Sequence, residues 1–432
     1  MKDDTQMPCV CAAGDALLPC AFSPFSAEKI LAGRAFDNLA EIWFPDLRKH
    51  RALRALGLPE CEITGNSSDY DKLCAFLSVL PQLGGTTLYD DARADLLALG
   101  CTLTPNAENA SAIWQETTRY LCEHRVSPAD VCAEKRTTFV DFLPQTAWEI
   151  HRLPSAAVPV MSCDALADLC GAAFATCIDT VSKNSGIRIE SMADLEQALL
   201  VALDVAFAGG CRAVSVDLSD LFRFVRPDPY HADLALKRAL AGDAGKLTEE
   251  ELLLFRAQLL RTLGGALVRR GGRLLLSFSR QTDTVYTPFS PKAVKELLSD
   301  LDARGALVPT CLSLAPTDVT AGIAPLFGAF AASDGTPRLF FGIAGQGATR
   351  ADLAGAWRLF CRQGATSLCL GVTDVSRGFL LHRGVARLAA AVAAETADWA
   401  DNGADFSKKT PPCEAICSDI SLRAAAFFGA ER

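Results

Sequence analysis

The chain has 432 residues, of which 50% are hydrophobic and 22% are charged, so it can fill a large buried core. Its formal net charge of -9 argues against the basic surface that nucleic-acid binding requires, so we expect no nucleic-acid partner. No apolar run reaches the roughly 18 residues of a membrane-spanning helix, so we expect no membrane association.

The N-terminus favours a cytoplasmic protein, and in such a protein scattered cysteines are mostly small core residues. Residues 1–6 lack the basic segment and the apolar core of a signal peptide. The 17 cysteines are scattered singly, mostly through apolar runs, as small core residues are in reducing compartments. Two closer spacings, Cys9 with Cys11 and Cys413 with Cys417, lack the paired CxxC pattern and the nearby histidine of a zinc site. The sequence therefore predicts neither a metal-binding cysteine motif nor a disulfide framework.

Residues 1–25 and 26–125 differ in their apolar patterns. The first segment contains two short apolar pieces, and we interpret it as the first strand of a barrel. Residues 26–125 repeat apolar residues at helical spacing, as at Leu53 and Leu56, and nothing in them resembles a strand. We predict a helical insertion there, packed beside the barrel mouth. Its expected helices are one that ends at Gly57 and Pro59, followed by 70–80, 88–99 and 106–121.

The rest of the chain, 126–432, alternates short apolar runs with helical segments. The runs are 137–142, 156–161, 213–218, 273–278, 307–314, 338–343 and 367–372, and the helices between them are 165–182, 192–208, 249–269, 291–304, 321–331 and 350–362. Such alternation predicts βαβ units and a parallel sheet. Seven runs and the N-terminal strand make eight, which predicts a (β/α)8 TIM barrel. A doubly wound open sheet is the alternative, but no GxGxxG pattern follows the first strand.

Polar residues follow the last predicted strand, 367–372. Asp374 and Arg377 come directly after it, and barrels place their chemistry on the loops at the C-terminal ends of strands. Asp141 and Asp217 lie at comparable ends of earlier strands. Each carboxylate could equally cap a helix or join a salt bridge, and Arg377 could be a solvated surface charge.

Several short motifs occur in a fixed order along most of the chain. They are Phe36-Asp37-Asn38-Leu39 with Ile42-Trp43, Asp46 with Lys49 and Arg51, Leu56-Gly57, Ile63-Thr64-Gly65, Ser68-Asp69, Leu88-Tyr89, Ala110 with Ile113-Trp114, Thr137-Thr138, Gly210-Cys211-Arg212, and Ser376-Arg377 with Phe379-Leu380. In this order they resemble the uronate isomerase family of the amidohydrolase superfamily. The resemblance implies a distorted (β/α)8 barrel and the interconversion of aldose and ketose uronates, such as glucuronate and fructuronate.

The resemblance fails at the positions where the family binds its metal. The family's first strand ends in a His-x-His motif, and Pro19-Cys20-Ala21 stands there in this chain. Neither proline nor alanine can ligate a metal, so we predict no catalytic metal and no cofactor. The family's His-Tyr pair in the insertion falls on Leu47-Arg48, and its Arg-Pro-Asp falls on Ser162-Cys163-Asp164. The family's Asp-His after its fourth strand falls on Ser215-Val216-Asp217, which lacks the histidine. The histidine after the family's fifth strand falls near Ser277.

The family's last strand ends in Thr-Asp-Ser-Arg-Ser-Phe. Aligned without a gap, Ser376 and Arg377 match, and the metal-binding aspartate becomes Val375. A shift of one residue restores that aspartate as Asp374, and both alignments stay open. On the plain alignment, Arg377 matches the residue that contacts the substrate carboxylate. The resulting candidate residues are Asp374 and Asp217 for catalysis, and Arg377, Ser277 and Arg48 for substrate binding.

Three functions from different classes fit these residues. The leading hypothesis is a degenerate family member that has lost the metal-dependent reaction and still binds a small sugar acid. The second is an active isomerase of altered mechanism, in which Asp217 and Asp374 supply acid–base chemistry and Arg377 holds the substrate. Carboxylates without histidine would suit Mg or Mn better than Zn in that case. The third is a non-catalytic subunit or interaction protein. We also expect a homo-oligomer.

Overall fold

The computed structural model of the chain describes residues 26–44, 47–130, 139–155, 157–218, 223–278, 290–314, 321–326, 329–331, 338–343 and 354–355. Within these residues, all strands belong to one parallel sheet, and helices either precede it or alternate with its strands. The predicted first strand (within 1–25) and last strand (367–372) lie outside the described residues. None of the described helices combines the length and the apolar character needed to cross a bilayer.

The regular elements described within residues 26–130 are all helical. They are α1 (Ala27–Ala32), α2 (Leu39–Trp43), α3 (Leu47–Ala55), α4 (Asp69–Val79), α5 (Thr87–Ala98) and α6 (Ala110–His124), with 3₁₀ turns at Glu60–Glu62 and Leu80–Leu83. Side chains cap several of them: Asn38 accepts a hydrogen bond from the Glu41 N–H, and Ser68 accepts one from the Asp71 N–H. Such caps satisfy backbone N–H groups that have no partner inside the helix.

Strands and helices alternate in the rest of the described chain. The strands are β1 (Phe139–Phe142), β2 (Val158–Ser162), β3 (Ala213–Asp217), β4 (Arg273–Ser277), β5 (Thr310–Leu314) and β6 (Leu339–Ile343). The helices are α7 (Asp164–Ala167), α8 (Ala172–Ser185), α9 (Met192–Ala208), α10 (Pro229–Arg238), α11 (Glu249–Arg270) and α12 (Pro291–Ala303). Shorter 3₁₀ and π turns lie at Pro144–Thr146, Ile150–Arg152, Ala239–Asp243, Ala244–Lys246 and Ala321–Leu326.

The six described strands lie side by side in chain order, and each pairs in parallel with the next. A doubly wound sheet would reverse its strand order at a switch point, and the described strands contain no such reversal. Uninterrupted sequential order is the arrangement of a (β/α)8 barrel. The described strands therefore favour the predicted barrel over the open-sheet alternative.

Two helical predictions were wrong in extent, and one helix was not predicted. The segment 165–182 is interrupted at Asp168, whose backbone leaves helical geometry (φ -107°, ψ 85°), so it forms α7 and α8. The described part of 321–331 includes only a 3₁₀ turn at Ala321–Leu326. Helix α10 begins with the Asp228 side chain accepting from two backbone N–H groups and with Pro229 in the first turn. That pair is a helix-start signal that could have been recognised in the sequence.

The helices of residues 26–130 and the sheet share one hydrophobic core. Glu28 of α1 joins them, because its Oε1 accepts hydrogen bonds from the Leu143 N–H at 2.9 Å and the Thr146 hydroxyl at 2.5 Å. Leu143 follows β1 directly. The start of the helical region is therefore fixed to the C-terminal end of β1.

Candidate functional site at the strand ends

The sheet has one apolar face and one face that becomes polar toward the C-terminal ends of its strands. Alternate residues of a strand point to opposite faces, and residues paired across neighbouring strands share a face. The apolar face contains Val140, Phe142, Met161, Val214, Val216, Leu274, Leu276, Leu312, Leu314, Leu339 and Phe341, each at most 2% exposed. The opposite face, which we call the polar face, contains Asp141, Ser162, Ser215, Asp217, Ser277 and Ser313.

Nearer the N-terminal ends of the strands, the polar face is mostly apolar. Phe139, Val160, Ala213, Leu275 and Cys311 lie there, each at most 5% exposed. Arg273, the first residue of β4, is the exception, and burial lowers the pKa of its guanidinium below the ordinary value. Carboxylates and hydroxyls are thus concentrated at the edge where barrels form their sites.

A row of polar side chains crosses three neighbouring strands at this edge. Asp217 pairs with Ser277, and Ser277 pairs with Ser313. Neighbouring strands lie about 4.8 Å apart, so each side chain of the row lies beside the next. The carbonyls of the two serines are used by the backbone, since Leu218 N–H donates to Ser277 O at 2.8 Å and Phe278 N–H donates to Ser313 O at 3.0 Å. A ligand at this edge would meet a carboxylate followed by two serine side chains.

Asp164, the first residue of α7, connects β2 to the end of β3. Its Oδ1 accepts a hydrogen bond from the backbone N–H of Asp217 at 2.7 Å, and its own N–H donates to Ser162 Oγ at 3.4 Å. The bond to Asp217 holds the backbone of the candidate catalytic residue. The role of Asp164 was missed in the sequence, although this aspartate is the one residue retained from the family's Arg-Pro-Asp.

The structure brings together only some of the predicted site residues. Asp217 and Ser277 are neighbours at the ends of β3 and β4. Arg48 lies in the first turn of α3. Asp374 and Arg377 lie outside the described residues, so the structure does not place them relative to Asp217. Their roles stay predictions.

The described strand ends do not provide the ligands of a zinc site. Four histidines lie in the described residues: His50 in α3, His124 at the end of α6, His151 in a 3₁₀ turn and His231 in α10. Zinc prefers imidazole or thiolate ligands, and none of these four histidines is on a strand. Within the described part of the chain, no three His, Cys, Asp or Glu side chains are grouped closely enough to hold a metal ion. The described residues therefore do not fit the metal that the family resemblance implies.

The cysteines near the sheet are structural. Cys163 follows β2 and is fully buried, and burial raises the pKa of its thiol well above the ordinary value. Burial likewise raises the pKa of Cys177 to about 12 and that of Cys211 to about 11. Protonated, buried thiols are poor nucleophiles and poor metal ligands. The expectation of core cysteines does not hold for Cys122 and Cys170, which are exposed.

Known proteins resemble part of the chain in sequence. A family model described as glucuronate isomerase matches residues 21–276. The uronate isomerase of Salmonella paratyphi A (strain ATCC 9150 / SARB42) is 30% identical over 265 residues, which cover 58% of this chain and 55% of that protein. The uronate isomerase of Bacillus pumilus is 25% identical over 296 residues, which cover 66% of this chain and 61% of that protein. In these alignments the chain spans little more than half the length of its relatives.

Solved structures resemble the chain along nearly its whole length. The uronate isomerase of Thermotoga maritima matches with a TM-score of 0.76 at 16% identity, over 98% of this chain and 97% of that one. The glucuronate isomerase of Caulobacter crescentus matches with a TM-score of 0.75 at 15% identity, over 100% and 96%. At these identities the likeness shows the fold alone, and it confirms the predicted fold class of a distorted TIM barrel. Since the family model covers more than half of its residues, the chain belongs to the glucuronate isomerase family.

Proposed function

We propose that this chain is a divergent family member that binds a uronate at the polar face and no longer performs the metal-dependent isomerisation. The observation that supports this is the composition of the described strand ends. They present Asp141, Asp217 and serine hydroxyls, with no imidazole among them. Hydroxyl and carboxylate groups suit a polyhydroxylated ligand, because each can hydrogen-bond to a sugar hydroxyl. The replacement of His-x-His by Pro19-Cys20-Ala21 supports the loss of the metal.

In this proposal the two ends of the ligand meet different groups. Arg377 binds the carboxylate, since a guanidinium can donate two parallel hydrogen bonds to it. Ser277 and Arg48 contribute to substrate binding, and Asp217 faces the hydroxylated carbons. Cytoplasmic location and assembly into a homo-oligomer stay predictions.

An active isomerase of altered mechanism is the second candidate. The observation that favours it is the fixed position of Asp217, whose backbone N–H is held by the Asp164 carboxylate. With Asp374, it would provide two carboxylates for the proton transfer that aldose–ketose isomerisation requires. Turnover of a bound uronate, followed by NMR spectroscopy, would distinguish this function from binding alone.

The first test of this proposal concerns the metal content of the protein. We expect protein purified without chelator to contain clearly substoichiometric zinc and manganese by elemental analysis, because the family's imidazole ligands are absent from the first strand. Near-stoichiometric metal that survives dialysis would contradict the proposal and favour the altered isomerase.

The second test concerns Arg377. Glucuronate, galacturonate, fructuronate and tagaturonate are screened by calorimetry, and any ligand that binds is then measured with Arg377→Lys. We expect roughly 10- to 100-fold weaker binding with an unchanged melting temperature in the absence of ligand, because lysine cannot reproduce the two parallel hydrogen bonds.

Arg152→Lys is the matched control for this test. Arg152 pairs with Glu149 at 3.0 Å on the surface, and its side chain is 57% exposed. Exposed ion pairs contribute little, so its replacement should leave affinity and stability unchanged. Equal affinity of the wild type and Arg377→Lys would reject the assignment of Arg377. So would binding of neutral hexoses as tightly as uronates.

A further inference from the structure

Two hydroxyls of the polar face lack partners within the described part of the chain. Ser215 is 9% exposed, and its backbone takes part in the sheet, but its Oγ forms no hydrogen bond to any described residue. Ser277 is half-buried, and its Oγ likewise forms none. By contrast, Ser162 on the same face accepts a hydrogen bond from the Asp164 N–H. Neither oxygen is among the fully buried side-chain atoms that lack a partner in the described residues, so both are accessible to a ligand at the polar face.

The two serines lie on either side of Asp217. Ser215 precedes it by two residues on β3, so both side chains point to the polar face about 6.6 Å apart along the strand. Ser277 is opposite Asp217 on β4, at the spacing of neighbouring strands, which is about 4.8 Å. A hydroxyl both donates and accepts, whereas a carboxylate only accepts. The three groups therefore match a chain of adjacent hydroxyl groups better than an apolar acid.

We propose that Ser215, Asp217 and Ser277 form a subsite that binds the hydroxylated carbons of the ligand. This inference rests on the proposed uronate binding and extends it, because it states which groups recognise the ligand's hydroxyls. Asp164 fixes the centre of the subsite through its 2.7 Å hydrogen bond to the Asp217 N–H. The ligand supplies the partners that the two serine hydroxyls lack within the described chain.

The experiment measures binding of four probes by calorimetry: D-glucuronate, D-galacturonate, D-glucitol and hexanoate. Hexanoate has a carboxylate and six carbons but no hydroxyl, and D-glucitol has hydroxyls but no carboxylate. Ser215→Ala and Ser277→Ala should each weaken uronate binding roughly 3- to 10-fold, the range of a net hydrogen bond. Hexanoate should bind more weakly than the uronates, and its affinity should be the same for the wild type and both serine variants. Melting temperatures without ligand should stay constant or rise, because each variant removes a hydroxyl that lacks a described partner.

Ser182→Ala is the control for the serine-to-alanine change itself. The Ser182 hydroxyl on α8 donates to Ile187 O at 2.7 Å, so its loss should lower the melting temperature without changing uronate affinity. Unchanged uronate affinity in Ser215→Ala and Ser277→Ala would overturn the subsite. An equal loss of hexanoate affinity would also overturn it, because that loss indicates general damage to the site.

A failure of the proposed function is distinguishable from a failure of the subsite. If the wild type binds no uronate, the proposed function fails, and the D-glucitol measurement decides on the subsite. D-glucitol binding that weakens in both serine variants would support a hydroxyl-binding subsite without a uronate carboxylate. No binding of any hydroxylated probe would overturn both.

Discussion

Replacing Trp43 by alanine is expected to lower the free energy of unfolding by about 3–5 kcal/mol, as for other buried tryptophans. Trp43 ends α2 and is 0% exposed. Its ring meets Phe76 of α4 edge to face at 5.3 Å, and the Lys49 ammonium of α3 lies 5.9 Å from the ring centroid. Its indole N–H donates to Asp95 Oδ2 of α5 at 3.0 Å. One side chain thus connects four helices, and its removal leaves a cavity where they meet.

Trp43→Phe separates the hydrogen bond from the packing. Phenylalanine keeps an aromatic ring beside Phe76 but cannot donate to Asp95, which is only 2% exposed. Hydrogen bonds to charged groups contribute about 1.5–3 kcal/mol, so this variant should lose that part of the total. The measurement is the midpoint of urea-induced unfolding of each variant. Unfolding is monitored by the circular dichroism of the backbone, because that signal does not depend on tryptophan.

Trp114→Phe is the matched control in the same helical region. Trp114 of α6 is half-buried and contacts Tyr70 edge to face at 5.4 Å, but its indole N–H donates to no described residue. Its replacement by phenylalanine should cost less than about 1 kcal/mol. If Trp43→Phe and Trp114→Phe unfold at the same urea concentration, the buried hydrogen bond to Asp95 does not contribute as argued.

The family resemblance at Asn38, Trp43 and Asp69 has a structural explanation in this region. Asn38 caps α2, and its amide also donates to Asp69 Oδ2 at 2.9 Å. Trp43 donates to Asp95 and packs on Phe76. These side chains hold the helices of residues 26–130 together. The motifs shared with the family in this helical region thus include residues that support the fold.

The sequence predicted the six described strands because their apolar runs are short and uninterrupted. The run 213–218 corresponds to β3, Ala213–Asp217, and helix α9 has the predicted bounds. The interruption between α7 and α8 was not predictable from apolar spacing, since Leu166 and Phe174 continue the buried pattern across it. The break depends on local backbone geometry at Asp168, to which apolar periodicity is insensitive.

Parallel strands also explain how much of the site could be predicted. Asp217 and Ser277 were placed at strand ends, and ends of neighbouring parallel strands lie side by side. The role of Ser215 depends instead on its hydroxyl having no partner in the described residues. The role of Asp164 depends on its carboxylate accepting a hydrogen bond from the Asp217 N–H. Such pairings between distant residues follow from the strand register, and no spacing in a single sequence specifies them.

Replacing Gly264 by alanine should destabilise the protein, while the same change at its neighbour Gly265 should stabilise it. Both glycines lie inside α11, where alanine is favoured over glycine by roughly 1 kcal/mol. A Cβ at Gly264 would lie 2.5 Å from the backbone oxygen of Ala306, closer than such atoms approach, so α11 or the Ala306 loop would have to move. A Cβ at Gly265 would meet no atom within 4 Å.

Overpacking of this kind costs about 1–3 kcal/mol, which exceeds the gain in helix propensity. Gly265→Ala should instead gain about 0.4–1 kcal/mol, mainly because alanine restricts the unfolded chain. Because the gain from glycine to alanine is common to both, the two variants should differ by the overpacking cost, about 1–3 kcal/mol, in urea unfolding. Stabilisation by both alanines would show that Ala306 does not approach α11 as closely as the structure has it. Destabilisation by Gly265→Ala would show that the helix surface there is covered by another part of the chain.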